Sequence, residues 1–468
     1  MQVNSNNFVA LADVTIADKD TQGAVFRGTA TAYNNRLKAM YADGEAHGED
    51  IRQQAAEAKR RALRKLPDLL EQAEANMTAN GMQVRWAADG ADVQRLIQEI
   101  AAQHDVRKVT KSKSMITEEV GVNEALAEAG IEVVETDLGE WILQLNDEQP
   151  SHIIAPVIHK TKESIVEVFR RHGYTGSDDA TEMAKHARQT LRRAFLDSEM
   201  GISGGNFVVA ETGTIGLVMN EGNGRMVTSL PNVHVAVVGI EKVVETVEDY
   251  ALLTQVITRS GTGQALTVYN HMINGPRRAD EPDGPEHVYV ILVDNGRTDI
   301  YATDYAEALA CIRCGACLNA CPVYQQTGGH AYGWVYGGPI GAVVTPLLTG
   351  LENANPLPYA STLCGACKVA CPVDIDIPRM LLDLRRDIVE AGHGERIFDM
   401  GLAGWSATNR NQTLYEVSGT AARMGTRLNP TDKLPGILGN WTQYRDFPDF
   451  AAKPFRELWK ERQDKGEV

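Results

Sequence analysis

The chain changes texture along its length. Residues 1–80 are rich in Ala, Leu, Arg, Lys and Glu, as in EDIRQQAAEAKRRALRKLPDLLEQAEANM. These are strong helix formers, so the segment predicts helices, with Pro67 kinking or dividing them. From Met82 short β-type runs alternate with helical ones. MQVRWAA, VRKVTKS and IEVVETDL read as strands, and ADVQRLIQEIAAQ and TEEVGVNEALAEAG between them read as helices. PSHIIAPV followed by TKESIVEVFRR continues the alternation, as do NFVVAETGTIGLVMN, VHVAVVGIEKVV, TVYNHMIN and EHVYVILVDN. Strands and helices alternating at this spacing predict an α/β domain with a parallel sheet, over 81–297. A segment at 298–385 carries the cysteines, and residues 386–468 read as a helical tail.

Composition narrows the class. The 468 residues are 43% hydrophobic and 23% charged, ordinary for a chain that buries a core. The formal net charge of −16 disfavours a nucleic-acid partner. A basic run at Lys59, Arg60, Arg61, Arg64 and Lys65 is expected to be a solvated helix face, the alternative being a partner surface. No 18-residue apolar run exists, so no transmembrane segment is expected. The N-terminal MQVNSNNFVALADVTIADKD lacks the basic head and apolar core of a secretion signal. A cytoplasmic protein follows, with attachment to the inner face of the membrane as the peripheral variant. In a reducing compartment clustered cysteines read as metal ligands rather than disulfides. The Asn-x-Ser/Thr matches at Asn76, Asn411 and Asn440 are then chance.

All seven cysteines sit in two knots. The first is Cys311-x2-Cys314-x2-Cys317-x3-Cys321-Pro322, the ferredoxin run for a cubane [4Fe–4S] cluster, whose fourth cysteine ligates the other cluster. The second is Cys364-x2-Cys367-x3-Cys371-Pro372, and Ser361 stands where its first cysteine would be. Two clusters are expected: one on Cys311, Cys314, Cys317 and Cys371, the other on Cys321, Cys364 and Cys367. Zinc also binds paired Cys-x2-Cys, but it takes four ligands and not seven. The second cluster's remaining iron has three candidates: a Ser361 oxygen, a water or small ligand, or no iron at all in a three-iron cluster. A plainer role for Ser361 is to cap the following turn. His330 reads either as a cluster-tuning donor or as a loop polar group. The glycine-rich GGHAYGWVYGGPIG offers N–H groups to cluster sulfurs or serves as a tight connector.

In the α/β segment, AETGTIGLVMNEGNGR holds a Thr212-Gly213-Thr214 turn suited to an anion, with Glu211 as a nucleophile or base in principle. Arg225 and the Lys111, Ser112, Lys113, Ser114 run would add charge and hydroxyls. The alternative is a plain hairpin turn. P-loop, dinucleotide and flavin fingerprints are missing.

Together, CIRCGACLNACPVY, YGGPIGAVVTPLL, STLCGACKVACPVDIDIP, FLDSEMGISGGNFVVAETGTIGLVMNEGN and SLPNVHVAVVGIEKVV resemble the lactate-utilisation protein B family of bacterial iron–sulfur proteins, over nearly the whole chain. The resemblance implies an α/β LUD domain, similar to ribose-5-phosphate isomerase and CoA-transferase domains, then an α-helical ferredoxin-like domain with two [4Fe–4S] clusters. It implies an electron-transfer subunit of a complex that oxidises L-lactate to pyruvate and supports growth on lactate, without naming the electron acceptor. It also implies two companions, a cysteine-rich subunit and a second LUD-domain subunit. Two other functions stay open: the iron–sulfur subunit of another 2-hydroxy-acid oxidoreductase, or a LUD ligand-binding protein with structural or sensory clusters. Only the seven cysteines carry over as site residues, and no catalytic residue does.

Overall fold

A computed structural model describes residues 3–394, 396–428, 433, 439–442, 445–447 and 450–466. The chain forms two compact units, Met1–His393 and Gly394–Val468.

The first unit is built on two sheets. Six strands form an all-parallel sheet: β1 (Gln83–Ala87), β2 (Lys108–Lys111), β3 (Glu132–Glu135), β4 (Met200–Ser203), β7 (Val233–Gly239) and β10 (His287–Val293). Their order is β1-β10-β7-β4-β2-β3. The central β7 and β10 read VHVAVVG and HVYVILV and are buried almost throughout, as a strand covered on both faces requires. The run NFVVAETGTIGLVMN does not join this sheet. It makes the antiparallel hairpin of β5 (Phe207–Val209) and β6 (Thr214–Met219). With β8 (Val243–Val244) and β9 (Tyr269–Ile273) the hairpin forms a second sheet, ordered β8-β5-β6-β9.

Two sequence expectations change here. TEEVGVNEALAEAG is two helices, Met115–Glu119 and Val122–Glu128, because Gly121 takes φ +67° between them. PSHIIAPV forms no strand. Residues 151–158, with Pro150 before them and Pro156 within, fold as bends and turns against the cysteine-bearing segment. There the Ser151 carbonyl accepts from Tyr324 Oη at 2.5 Å, and His152 Nε2 pairs with Asn319 Oδ1 at 3.1 Å.

The N-terminal helices Phe8–Ala17, Lys19–Met40, Glu45–Arg64 and Leu66–Ala79 pack inside the same unit, and Pro67 lies in the first turn of the last. The basic run is a solvated face only at Arg64 and Lys65, which are exposed. Lys59 is buried, and its Nζ donates to the Glu241 carbonyl at 2.7 Å. Arg60 pairs with Glu307 at 2.9 Å, and Arg61 with Glu245 at 2.9 Å and Asp249 at 2.6 Å. These cations join the helical segment to both the sheet and the cysteine-bearing parts. The helix Ile377–Glu390 runs across the 385/386 point where the tail was expected to start, and the unit closes at His393. In the second unit the helices Arg396–Arg410 and Gln412–Leu428 lie against each other.

One buried ion network ties the sheet to the cysteine-bearing part. Arg297, just after β10, donates to Glu119 at 2.9 Å and to Glu241 at 2.7 Å, and all three side chains are at most 3% exposed. Tyr336 Oη donates to the same Glu119. Burial alone would raise the Glu241 carboxyl, but Arg297 and then Lys242 outweigh it and hold it at about 2. Arg297→Met leaves two buried carboxylates without their cation, so about 3–5 kcal/mol of destabilisation is expected, read from urea unfolding by circular dichroism. The carboxylate's contribution is present above its ordinary 4.5 and is lost as pH falls toward 2, so the variant's deficit should shrink in acid. An unchanged midpoint at neutral pH would deny the network this weight.

Candidate iron–sulfur site

The two cysteine knots fold alike. Cys314, Cys317 and Cys321 recur fifty residues on as Cys364, Cys367 and Cys371 (314 to 364, 317 to 367, 321 to 371). In each loop two residues adopt the left-handed region: Arg313 (φ +59°) and Gly315 (+73°) in the first, Leu363 (+53°) and Gly365 (+83°) in the second. A five-residue helix follows each, Ala316–Ala320 and Ala366–Ala370, ended by a Cys-Pro pair. The left-handed residues curl the backbone so that successive N–H groups turn inward. Arg313 N–H donates to Cys311 Sγ at 3.4 Å, Tyr324 N–H to Cys321 Sγ at 3.5 Å and Ile375 N–H to Cys371 Sγ at 3.4 Å. Ser361 occupies the place of Cys311 in the second loop. Its Oγ accepts from Leu363 N–H at 3.1 Å, as Cys311 Sγ accepts from Arg313.

Cys311, Cys314, Cys317 and Cys371 line one small cavity, closed by Ile153, Ile312, Ile340, Ile375 and Ile377. Burial pushes the Cys314 thiol up, and nearby Cys371 and Cys311 push it further. Burial raises Cys317 in the same way, reinforced by Cys311, Cys314 and Cys371. Cys371 is raised by burial to about 11, with Cys311 its neighbouring thiol. The other three form their own set. Cys321 is raised by burial and then by Cys364, and Cys367 by burial and then by Cys321 and Cys364, to about 12. Among the leading influences on these thiols, that of Cys367 on Cys317 crosses between the sets. Cys364 is exposed, and hydrogen bonds from Thr362 and the Ala366 N–H lower its thiol.

This arrangement fits an iron–sulfur cluster. Soft thiolates stand around a space rather than at a point, apolar side chains exclude water, and backbone N–H groups face the sulfurs. Among the described residues no group of three or more His, Cys, Asp or Glu side chains converges as a single bound ion needs. Cations gather near Cys311: Lys59 and Lys242, both lowered to about 8 by burial, and Arg313.

Residues 307–375 match the family model of the 4Fe-4S dicluster domain, residues 70–293 that of the LUD domain, and residues 385–464 that described as lactate utilisation protein B, C-terminal. Lactate utilization protein B of an Exiguobacterium species is 44% identical over 94% of this chain and 95% of its own. Its namesake in Bacillus cytotoxicus is 42% identical over 100% and 99%, and that of Shouchella clausii 42% over 96% of each. The chain belongs to the lactate utilisation protein B family. A crystal structure of a DUF162 family protein from Deinococcus radiodurans aligns at 15% identity over 49% of this chain and 98% of its own, with a TM-score of 0.29, too slight a likeness to bear on the fold.

For this family member, several other expected site residues have different places. The Thr212-Gly213-Thr214 turn is committed to packing. Asn76 donates to the Ala210 and Glu211 carbonyls and Asn80 to that of Thr212, while the Thr212 and Gly213 N–H groups bond to Val209. A Cβ on Gly213 would meet the Met77 nitrogen at 2.5 Å. Glu211 accepts from the Val247 N–H at 3.1 Å, and Arg225 is exposed. His330 donates to the Gln149 carbonyl at 2.8 Å. In the glycine-rich loop the N–H groups of Gly328, Gly329, Gly333 and Gly341 reach oxygens, and Gly329 is there because a Cβ would strike the Ser151 carbonyl. Ser112, Lys113 and Ser114 instead line a larger cavity at the ends of the parallel strands, with Lys242, Arg297 and Tyr336. The last three carried no spacing signal in the sequence.

Iodoacetamide at pH 8 on the iron-free full-length chain should label Cys364 first, since thiolate fraction and access both favour it, and Cys314 and Cys317 last. Mass spectrometry of a time course gives the order. Simultaneous labelling of all seven would contradict the burial described.

Proposed function

We propose that the chain is the iron–sulfur electron-transfer subunit of a complex that oxidises L-lactate to pyruvate. Its relatives are named for lactate utilisation, and they align with it end to end. The observation that supports the reading most directly is the ring of Cys311, Cys314, Cys317 and Cys371 around one cavity, with Cys321, Cys364 and Cys367 as a second set. On this reading the first four thiolates hold one [4Fe–4S] cluster and the other three hold a second. Such clusters, when bound, supply one-electron exchange, and a pair suits a two-electron oxidation.

The protein's part is to hold, shield and bias. The isoleucines around the first set keep water out, and the N–H groups of Arg313 and Ile375 stabilise negative charge on Cys311 and Cys371. Lys59, Lys242 and Arg313 add positive charge beside Cys311. The second set opens to the surface through Cys364, the side on which the companions, a cysteine-rich subunit and a second LUD-domain subunit, can approach. Among the described residues no helix is long and apolar enough to cross a membrane.

The test is anaerobic purification with the companion subunits, iron and sulfide analysis, and addition of L-lactate. Bleaching of the cluster absorbance by lactate is the expected result. Bound zinc, or iron centres that lactate leaves oxidised in the complete complex, would overturn the reading. Cys314→Ser should lower iron content and abolish the lactate-dependent bleaching. Ser361→Ala should keep both clusters, because the Leu363 N–H it releases is a single turn bond; loss of half the iron would make Ser361 a ligand.

A further inference from the structure

The larger cavity, about 490 Å³, lies beyond the carboxyl ends of β2, β4 and β7. Ser112 to Met115 follow β2, Gly204 and Gly205 follow β4, and Glu241 and Lys242 follow β7. The chain leaves β2 toward β3 at one edge of the sheet, and leaves β4 toward β7 in the opposite direction. β2 and β4 are neighbours, so the crevice between their ends is a topological switch point, where open parallel sheets bind their ligands. Ile154, Leu217 and Ile257 give it apolar walls.

Its polar lining is unbalanced. Arg297 is matched by Glu119 and Glu241. Lys242 stays 3.8 Å from Glu241, beyond hydrogen-bond length. Arg313 lies over the Tyr336 ring at 4.3 Å, and its buried Nη1 has no hydrogen-bond partner. Cys311 also lies near these two cations. Ser114 is 5% exposed and starts the helix Met115–Glu119, yet its Oγ neither caps that helix nor bonds elsewhere. Asp137, Glu221 and Lys113 also face the space, and Lys113 Nζ is engaged by the Ile154 carbonyl at 2.9 Å. A buried guanidinium nitrogen and a buried hydroxyl without partners, beside a lysine that Glu241 holds only at ion-pair distance, are the donor set for a small organic anion. Arg313 and Ile153 line this crevice and the four-cysteine cavity alike.

We propose that the crevice binds a small 2-hydroxy- or 2-oxo-carboxylate, its carboxylate received by Lys242 and Arg313, with the Ser114 hydroxyl available to its 2-oxygen. The preference for a 2-hydroxy or 2-oxo acid rests on the lactate reading, while the negative charge of the ligand rests on the crevice alone. A ligand there sits one arginine away from the four-cysteine cavity.

The test is anaerobic isothermal titration of the full-length, cluster-loaded chain with L-lactate, pyruvate and inorganic phosphate. Binding of pyruvate or L-lactate is expected. Lys242→Met should weaken it about tenfold or more and Ser114→Ala severalfold, the range for lost hydrogen bonds to a charged or polar ligand. Iron content should be unchanged in Ser114→Ala, which lies outside the cysteine loops. No carboxylate binding, binding of phosphate alone, or carboxylate affinity indifferent to both substitutions would each overturn the proposal. The two readings fail separately. Carboxylate binding without lactate-driven bleaching in the complex would sink electron transfer and keep the site. Bleaching without binding to this chain would sink the site alone.

Discussion

Five of the seven thiols lie where ionisation is costly. Burial raises Cys314, Cys317, Cys321, Cys367 and Cys371, and the thiols in each set raise one another. Left to themselves, such groups stay protonated and inert. Gathering them is unfavourable unless a strongly positive centre takes the place of their protons. Much of the surrounding architecture answers that constraint: left-handed residues that aim N–H groups at sulfur, isoleucines that keep the space dry, and cations beside Cys311.

The same constraint explains why sheet and cysteine loops form one unit. Lys59 comes from an N-terminal helix, Lys242 from the end of β7, and Arg313 from the first loop. Lys59 is buried and the other two are half-buried, so each needs negative charge nearby. Glu241 serves two of these parts at once, through Arg297 and through its carbonyl to Lys59. The basic stretch at 59–65 thus acts as internal mortar, with Arg60 and Arg61 reaching acids from different segments.

Legibility in the sequence follows the range of the interaction. The parallel strands were readable because β7 and β10 are continuous apolar runs, and the cysteine loops because their ligand spacing is local. The second sheet was not, since nothing in NFVVAETGTIGLVMN tells a hairpin apart from two strands of a larger sheet. PSHIIAPV resembled a strand because its apolar residues pack against the cysteine segment instead of a sheet neighbour. The hydroxyls and lysine of the 111–114 run stand out in the sequence, but beside a different turn: the sequence suggests Thr212 to Thr214 as their neighbours, and the fold puts Lys242 and Tyr336 there. Contacts between residues 100 or more apart leave no periodic trace.

The fifty-residue echo between the cysteine loops has a consequence for durability. Both halves keep the same backbone curl, but only the first keeps four sulfurs, and the second pairs its serine with the one solvent-facing cysteine. On the proposed assignment, molecular oxygen meets iron first at that corner. Damage in air then begins at the outer centre, ahead of the inner one that the buried thiols enclose.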